Sequence, residues 1–288
     1  NTAMAENCAP GTPLIAETGG LNAMIVDSTA LPEAAVRDIV NGAFRSAGQR
    51  CSALRCLYVQ EDIADKLLEM LQGAMDALTL GDPWALSTDV GPVIDDLAHK
   101  GISDHIAQAQ SEGRVLHALT APASGHFIAP TVIKVRSITD LELEIFGPVL
   151  HVATFKASEI DDVIADINNT GYGLTFGLHT RIDDRVETIV NAIDAGNIYV
   201  NRDQIGAIVG SQPFGGEGLS GTGPKAGGPN YLPRFGLTSV APTLSAQDLP
   251  GPTGESNRLK LHPRGDILCL GPDVDAQVQA VNALGGNP

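Results

Sequence analysis

A cysteine set just past a helix-stopping glycine is the residue here best suited to chemistry. In Gly48-Gln49-Arg50-Cys51-Ser52 the thiol falls in a loop, where it could act as a nucleophile, and the adjacent Arg50 cation could stabilise its thiolate. The bland alternative is an inert packing thiol, which is how Cys56 reads inside strand-like 55–60. Glu17-Thr18-Gly19-Gly20 places a carboxylate before two glycines that permit tight turning, although a solvated acid before a turn would look the same. Glu144-Ile145-Phe146-Gly147-Pro148-Val149 sets a carboxylate and a ring beside a stiff bend, fit to hold a ribose and press on a flat ring, or to make an ordinary turn. Finally, Gln212-Pro213-Phe214-Gly215-Gly216 runs into Gly216–Gly221, a letter-for-letter G-x-G-x-x-G. A dinucleotide fingerprint needs a strand before it and a helix opening inside it, whereas Pro213 precedes this one and Gly223-Pro224 follows, so the match is set aside.

Positioning such groups requires a scaffold, and the hydrophobic pattern supplies one. Strands are predicted at 13–17, 23–26, 55–60, 127–135, 149–155, 174–179 and 197–201, with helices over 32–46, 62–78, 95–111, 158–168 and 183–194. Pro32 suits a first helical turn and Glu33 the positive end of the helix dipole. Repeated β-α-β units imply an α/β fold whose mainly parallel sheet is covered on both faces. Residues 206–233, crowded with Gly and Pro, read as a structured loop region, 241–252 as a linker, and the tail as one strand (266–270) and one helix (274–284).

Composition narrows the function. With 34 acidic against 18 basic residues the net charge is -16, which disfavours nucleic acid and anionic membrane surfaces. No apolar run approaches the ~18–20 residues of a membrane helix, and the first residues carry no signal-peptide pattern, so a cytoplasmic location is expected. Four cysteines, Cys8, Cys51, Cys56 and Cys269, form no C-x-x-C pair and have no metal-ligand spacing, so a reduced state and no metal site are expected.

Taken jointly, these motifs resemble the aldehyde dehydrogenase superfamily: Glu17 and Cys51 are 34 positions apart, as that family's general base and nucleophile are, and Glu144–Val149 comes next in order. Thr18, Arg50-Cys51-Ser52-Ala53 and Gly206–Gly210 before Pro213-Phe214-Gly215-Gly216 look like glutamate semialdehyde dehydrogenases. The runs 215–229 and 249–257 further resemble the bifunctional proline utilization A family, in which this activity is fused behind a proline dehydrogenase. The resemblance implies NAD as cofactor, with FAD confined to the fused proline dehydrogenase domain. It implies Cys51 as nucleophile and Glu17 as base. Glu144 and Phe146 would contact the nicotinamide end of NAD. Ser52, Gly206, Ala207 and Phe214 would hold the semialdehyde, and the backbone N–H of Cys51 would form half an oxyanion hole. It further implies that 1–20 end an NAD-binding domain, 21–205 form the catalytic domain, 206–242 the substrate-anchor loop and return segment, and 243–288 a linker and the start of another module. On that view the chain is a C-terminal fragment of a homo-oligomeric enzyme, and these residues alone would bind NAD feebly. The rival readings are another semialdehyde dehydrogenase and an inactive fragment serving as a structural module.

Overall fold

The computed structural model describes residues 2–9, 12–236, 246–262, 266–283 and 286–288. The chain forms two compact units, residues 1–207 with 214–223, and 208–213 with 224–288. In the first unit, α1 (Thr2–Asn7) is followed by β1 (Ala23–Val26), α2 (Pro32–Phe44), β2 (Cys56–Gln60), α3 (Glu61–Asp76), α4 (Asp96–Ser111), β3 (Val115–Ala118), β4 (Thr131–Lys134) and β5 (Val149–Phe155). Then come α5 (Ile160–Asn169), β6 (Tyr172–Gly173), β7 (Thr175–His179), α6 (Asp183–Ala192), β8 (Asn197–Val200) and β9 (Glu217–Gly218).

Period-two alternation splits the core between the two faces of the sheet. Met24 and Val26 of β1, Leu57 and Val59 of β2, and Leu150 and Val152 of β5 pack with Ile39 and Phe44 of α2 and Leu67, Leu71 and Met75 of α3. The intervening Ala23, Ile25, Cys56, Tyr58, Ala153 and Phe155 face Val163, Ile164 and Ile167 of α5 and Ile189 of α6. Strands buried on both faces read as continuous apolar runs, and each fully buried large side chain contributes roughly 1.5–3 kcal/mol. The sheet runs β3-β4-β5-β2-β1-β7-β8, and every adjacent pair is parallel except β3 with β4. This is the mainly parallel, doubly covered sheet that the patterning predicts.

Several expected elements differ. The strand expected at 13–17 is reduced to one bridge, Glu17 to Gly221, where Thr18 N and Thr222 N bond to the Ser220 and Ala16 carbonyls; beyond it the Thr222 hydroxyl, bonded to the backbone of Leu14 and Ala16, takes the place of a strand partner. The helix expected to reach residue 46 stops at Phe44, since Ser46 and Ala47 take left-handed φ of 57° and 52°. The strand expected over 127–135 keeps only Thr131–Lys134, and the edge strand β3, half exposed along V-L-H-A, went unforeseen. Within 206–233, Glu217–Gly218 pairs with Tyr172–Gly173 as the two-residue ladder β6/β9.

In the second unit, β10 (Gln247–Leu249) and β11 (Asn257–Leu259) form an antiparallel hairpin, so part of the expected linker is strand; 241–245 lie outside the described residues. The strand expected at 266–270 is a single bridge between Asp266 and Asn287, and the predicted helix is α7 (Val274–Ala283), Leu284 lying outside the described residues.

Candidate active site

The segment between α2 and β2 is a loop whose carbonyls point into the protein. Asn22, 2% exposed, donates through Nδ2 to the carbonyls of Cys51 and Ala53 at 2.7 and 2.9 Å, while its Oδ1 accepts from Thr175 N at 3.1 Å. Thr175 Oγ1 donates to the Ser52 carbonyl at 3.2 Å, and Gln204 Nε2 to Thr175 Oγ1 at 3.1 Å. With these carbonyls held, the loop is fixed around the Cys51 side chain, and the Ser52 and Cys51 amides lie where they favour a thiolate. Gly48 is required here: its φ is +66°, and a Cβ would lie 2.1 Å from the Gly147 carbonyl oxygen.

That close approach brings Glu144 and Phe146 to the same place. Arg55, 1% exposed, anchors the junction. Its Nε and Nη2 reach Glu144 Oε1 at 3.2 and 3.0 Å, Nη1 reaches the carbonyls of Gly48 and Gly147 at 2.8 and 3.2 Å, and Nη2 that of Arg50 at 3.1 Å. Its guanidinium carbon also sits 5.1 Å from the centre of the Phe146 ring. Gly20 N donates to Glu144 Oε2 at 3.2 Å, which ties the Glu17–Gly20 segment to the same carboxylate.

Glu17 enters from the other side. Its Oε2 accepts from Gly216 N at 3.0 Å, and Thr18 bonds to residues 219–220 through its hydroxyl and its N–H. The glycines of Gly216–Gly221 serve this packing: a Cβ on Gly221 would lie 2.9 Å from Glu17 Oε1, and one on Gly216 would lie 2.5 Å from Ser220 Cβ. The G-x-G-x-x-G match is thus a compact turn closed on a carboxylate, and offers no cradle for a phosphate.

Two sequence-predicted carboxylates, Glu17 and Glu144, therefore act on the sulfur. The protein around it pushes the Cys51 thiol above its ordinary value; the Ser52 and Cys51 amides pull it down, and the Glu144 and Glu17 carboxylates add to the rise. Arg50 does not have the expected role beside the thiolate, because its Nε is turned to Ser46 Oγ at 3.1 Å. Burial holds the Cys56 thiol far above the usual range, in keeping with a packing cysteine. Ser52 is buried within the loop. Gly206, at φ +76°, and Ala207 follow Gln204, so they begin two residues beyond the Gln204–Thr175–Ser52 relay. Phe214, half-buried, precedes Gly215 and Gly216, whose amides bond to Asn197 Oδ1 at 3.2 Å and to Glu17.

Sequence reading missed Arg55, Asn22 and Thr175. Each is a polar residue at the entry to an otherwise apolar strand, and that position is the one signal that could have exposed them. For a dinucleotide, the residues present fit only the nicotinamide end. Phe146 is 44% exposed with its ring backed by Arg55, and Glu144 retains acceptor capacity beyond its three donors. Among the described residues no group of three or more His, Cys, Asp or Glu could hold a metal ion, and no helix is long and apolar enough to cross a membrane.

The bifunctional protein PutA of Klebsiella aerogenes is 44% identical over 95% of this chain and 26% of its own length. A crystal structure of a Bradyrhizobium japonicum proline utilization A variant superposes with a TM-score of 0.79 at 54% identity, covering 82% of this chain and 24% of that one. A 1-pyrroline-5-carboxylate dehydrogenase from Thermus with bound NAD gives a TM-score of 0.74 at 34% identity, over 81% of this chain and 46% of that one. The chain thus spans about a quarter of the length of the PutA proteins it matches. The model of the aldehyde dehydrogenase family matches residues 2–239, and this chain belongs to that family.

Proposed function

We propose that this chain carries the nucleophile, base and substrate loop of an NAD-dependent dehydrogenase that oxidises glutamate γ-semialdehyde to glutamate in proline catabolism, in the cytoplasm. The observation that carries the reading is the thiol itself: Cys51 sits exposed in a loop whose carbonyls are pinned from within, and the Glu17 and Glu144 carboxylates act on its sulfur. The similarity to PutA and to 1-pyrroline-5-carboxylate dehydrogenase supports the substrate class, and the NAD in the Thermus relative supports the cofactor.

Cys51 releases its proton to solvent and its sulfur adds to the aldehyde carbon, with the Cys51 N–H stabilising the developing oxyanion. NAD, when bound, accepts the hydride that leaves that carbon. The acyl group then stays on Cys51 as a thioester. Glu17 takes a proton from the water that cleaves the acyl–sulfur bond, which returns the thiol and frees glutamate. Glu144 and Phe146 hold the nicotinamide end of the cofactor. Ser52 and the Gly206–Ala207 backbone take the substrate carboxylate, and Phe214 walls its aliphatic stem.

Rapid-mix kinetics on the natural protein that contains these residues test the assignment. Glu17→Gln should leave a stoichiometric burst of NADH and slow the later turnover ~10²–10⁴-fold, with the acyl-enzyme visible by mass spectrometry. A lost burst with no acyl adduct on Cys51 would remove Glu17 from the hydrolytic step.

A further inference from the structure

A cation buried as deeply as Arg55 is costly unless each of its donors is answered. A guanidinium carries five N–H bonds, and the five contacts it makes use all of them. Those contacts fall on two separate segments. The Gly48 and Arg50 carbonyls bracket Gln49 just before the nucleophile, and the Glu144 carboxylate, the Gly147 carbonyl and the Phe146 ring belong to the cofactor-facing bend. No other described side chain is bonded to both segments. We propose that Arg55 is a positioning residue that sets the distance between the nucleophile loop and the Glu144–Phe146 pair, so that whatever the pair holds is registered against Cys51.

The planar fork is what makes this possible. A lysine at 55 would keep the charge, but its three rotatable donors cannot meet five contacts spread over two segments. Released from its two-point hold, the Glu144 carboxylate would be less neutralised while still near the sulfur. The charged groups that act on the thiol are Glu144, Glu17 and Arg55 itself, whose charge a lysine would keep, while Arg50 is bonded away to Ser46.

The inference rests on Cys51 being the reactive thiol and on Glu144 and Phe146 being the cofactor contacts, but its test needs neither NAD nor aldehyde. Failure of the coupling is thereby distinct from failure of the dehydrogenase reading, which the burst experiment decides. Iodoacetamide labelling of Cys51 in the folded 288-residue chain, followed by peptide mapping, gives a pH profile for the thiol. Arg55→Lys should raise the midpoint by about one pH unit, a roughly tenfold loss of rate near neutral pH. In a Glu144→Gln background the same substitution should change the rate by less than about twofold, because the carboxylate that the fork holds is gone and lysine keeps the direct charge of residue 55 on the thiol. An unchanged midpoint, or an equal shift in both backgrounds, overturns the proposal. If Arg55→Lys does not fold, hydrogen exchange in the Glu144→Gln chain decides instead. Faster exchange of the amides of residues 49–52 supports the coupling, and unchanged exchange there overturns it.

Discussion

The two ends of the parallel strands are built differently. Doubly wound sheets usually take ligands at the carboxyl ends of their strands, and here that end has a cavity of about 310 Å³ lined by Asp27, Gln60, Phe155, Ile160, Arg185 and Ile189. Asp161 and Asp184 also line it from the flanking helices, but the carboxylate at the strand end is spent: Asp27 accepts from Thr29 N and Oγ1, from Thr180 Oγ1 and from Arg185 Nη1 at 2.7 Å. At the amino ends, Asn22 before β1, the Cys51 loop and Arg55 before β2, the Glu144–Pro148 bend before β5 and Thr175 opening β7 gather with the sulfur facing out. One end uses its polar groups to close the fold. The other uses buried polar groups to hold reactive ones open.

If that contrast is right, substitutions at the two ends separate activity from stability. Cys51→Ala should abolish turnover, by on the order of 10⁴-fold or more, while the melting temperature stays within a few degrees; a variant that keeps its activity would end the assignment of the nucleophile. Gly48→Ala should damage both properties. It places a Cβ on the Gly147 carbonyl at a left-handed φ, and should cost ~2–4 kcal/mol in denaturant titration as well as most of the Cys51 labelling rate.

A third test uses pH at the pair of buried His151 and half-buried His105, which lies behind Arg55. His151 Nδ1 is 3.1 Å from the Arg55 carbonyl, so Nδ1 carries the hydrogen and Nε2 accepts from His105 Nε2 at 2.9 Å. Burial, with His105 adding to it, pushes His151 down to about 4. The unfolded chain therefore takes up a proton near pH ~6.5 that the folded chain refuses until about pH 4. Stability from this group is complete above the higher value and drains away between the two, by roughly 3 kcal/mol. Urea melts from pH 7 to 4 should show this slope, and His151→Gln should remove it; an unaltered slope would mean that other groups carry it.

The smallest effect belongs to the closed end. Burial alone would raise Asp27, but hydrogen bonds from Thr180, Thr29 and Arg185 outweigh it and hold the carboxyl below its ordinary value. Its contribution is present above the unfolded value near ~4 and is lost as pH falls through the lower folded one. Asp27→Asn should cost ~1–2 kcal/mol at neutral pH and nothing in strong acid, with dehydrogenase activity unchanged. Loss of activity without loss of stability would place function at this end too.

Much of this organisation was legible because apolar periodicity is local. Ala23–Val26 and Val149–Phe155 were found at their full bounds, since each is a run buried on both faces. Cys51, Glu17 and Glu144 were singled out through glycines near them, which let backbone segments approach closely, as Gly48 and Gly147 do. Other features depend on partners distant in sequence. Residues 14–18 pair with 220–222, more than 200 positions away, and Arg55 reads as an ordinary strand-entry residue until Gly147 and Glu144 are brought to it. Arg50 misled for the converse reason, because adjacency in sequence says nothing about which way a side chain turns.

The five-contact guanidinium has a consequence for how sequences of this kind can change in length. Residues 48, 50, 55, 144 and 147 are fixed to one rigid plane, so the number of residues from 48 to 55 cannot drift without releasing several contacts at once. The exposed segment around Trp84 and Leu86 carries no such constraint. Insertions and deletions should accumulate there and be absent between Gly48 and Arg55. Anyone grafting this thiol loop into another scaffold would need to carry the arginine and the Glu144–Gly147 bend along with it, as one part of fixed length.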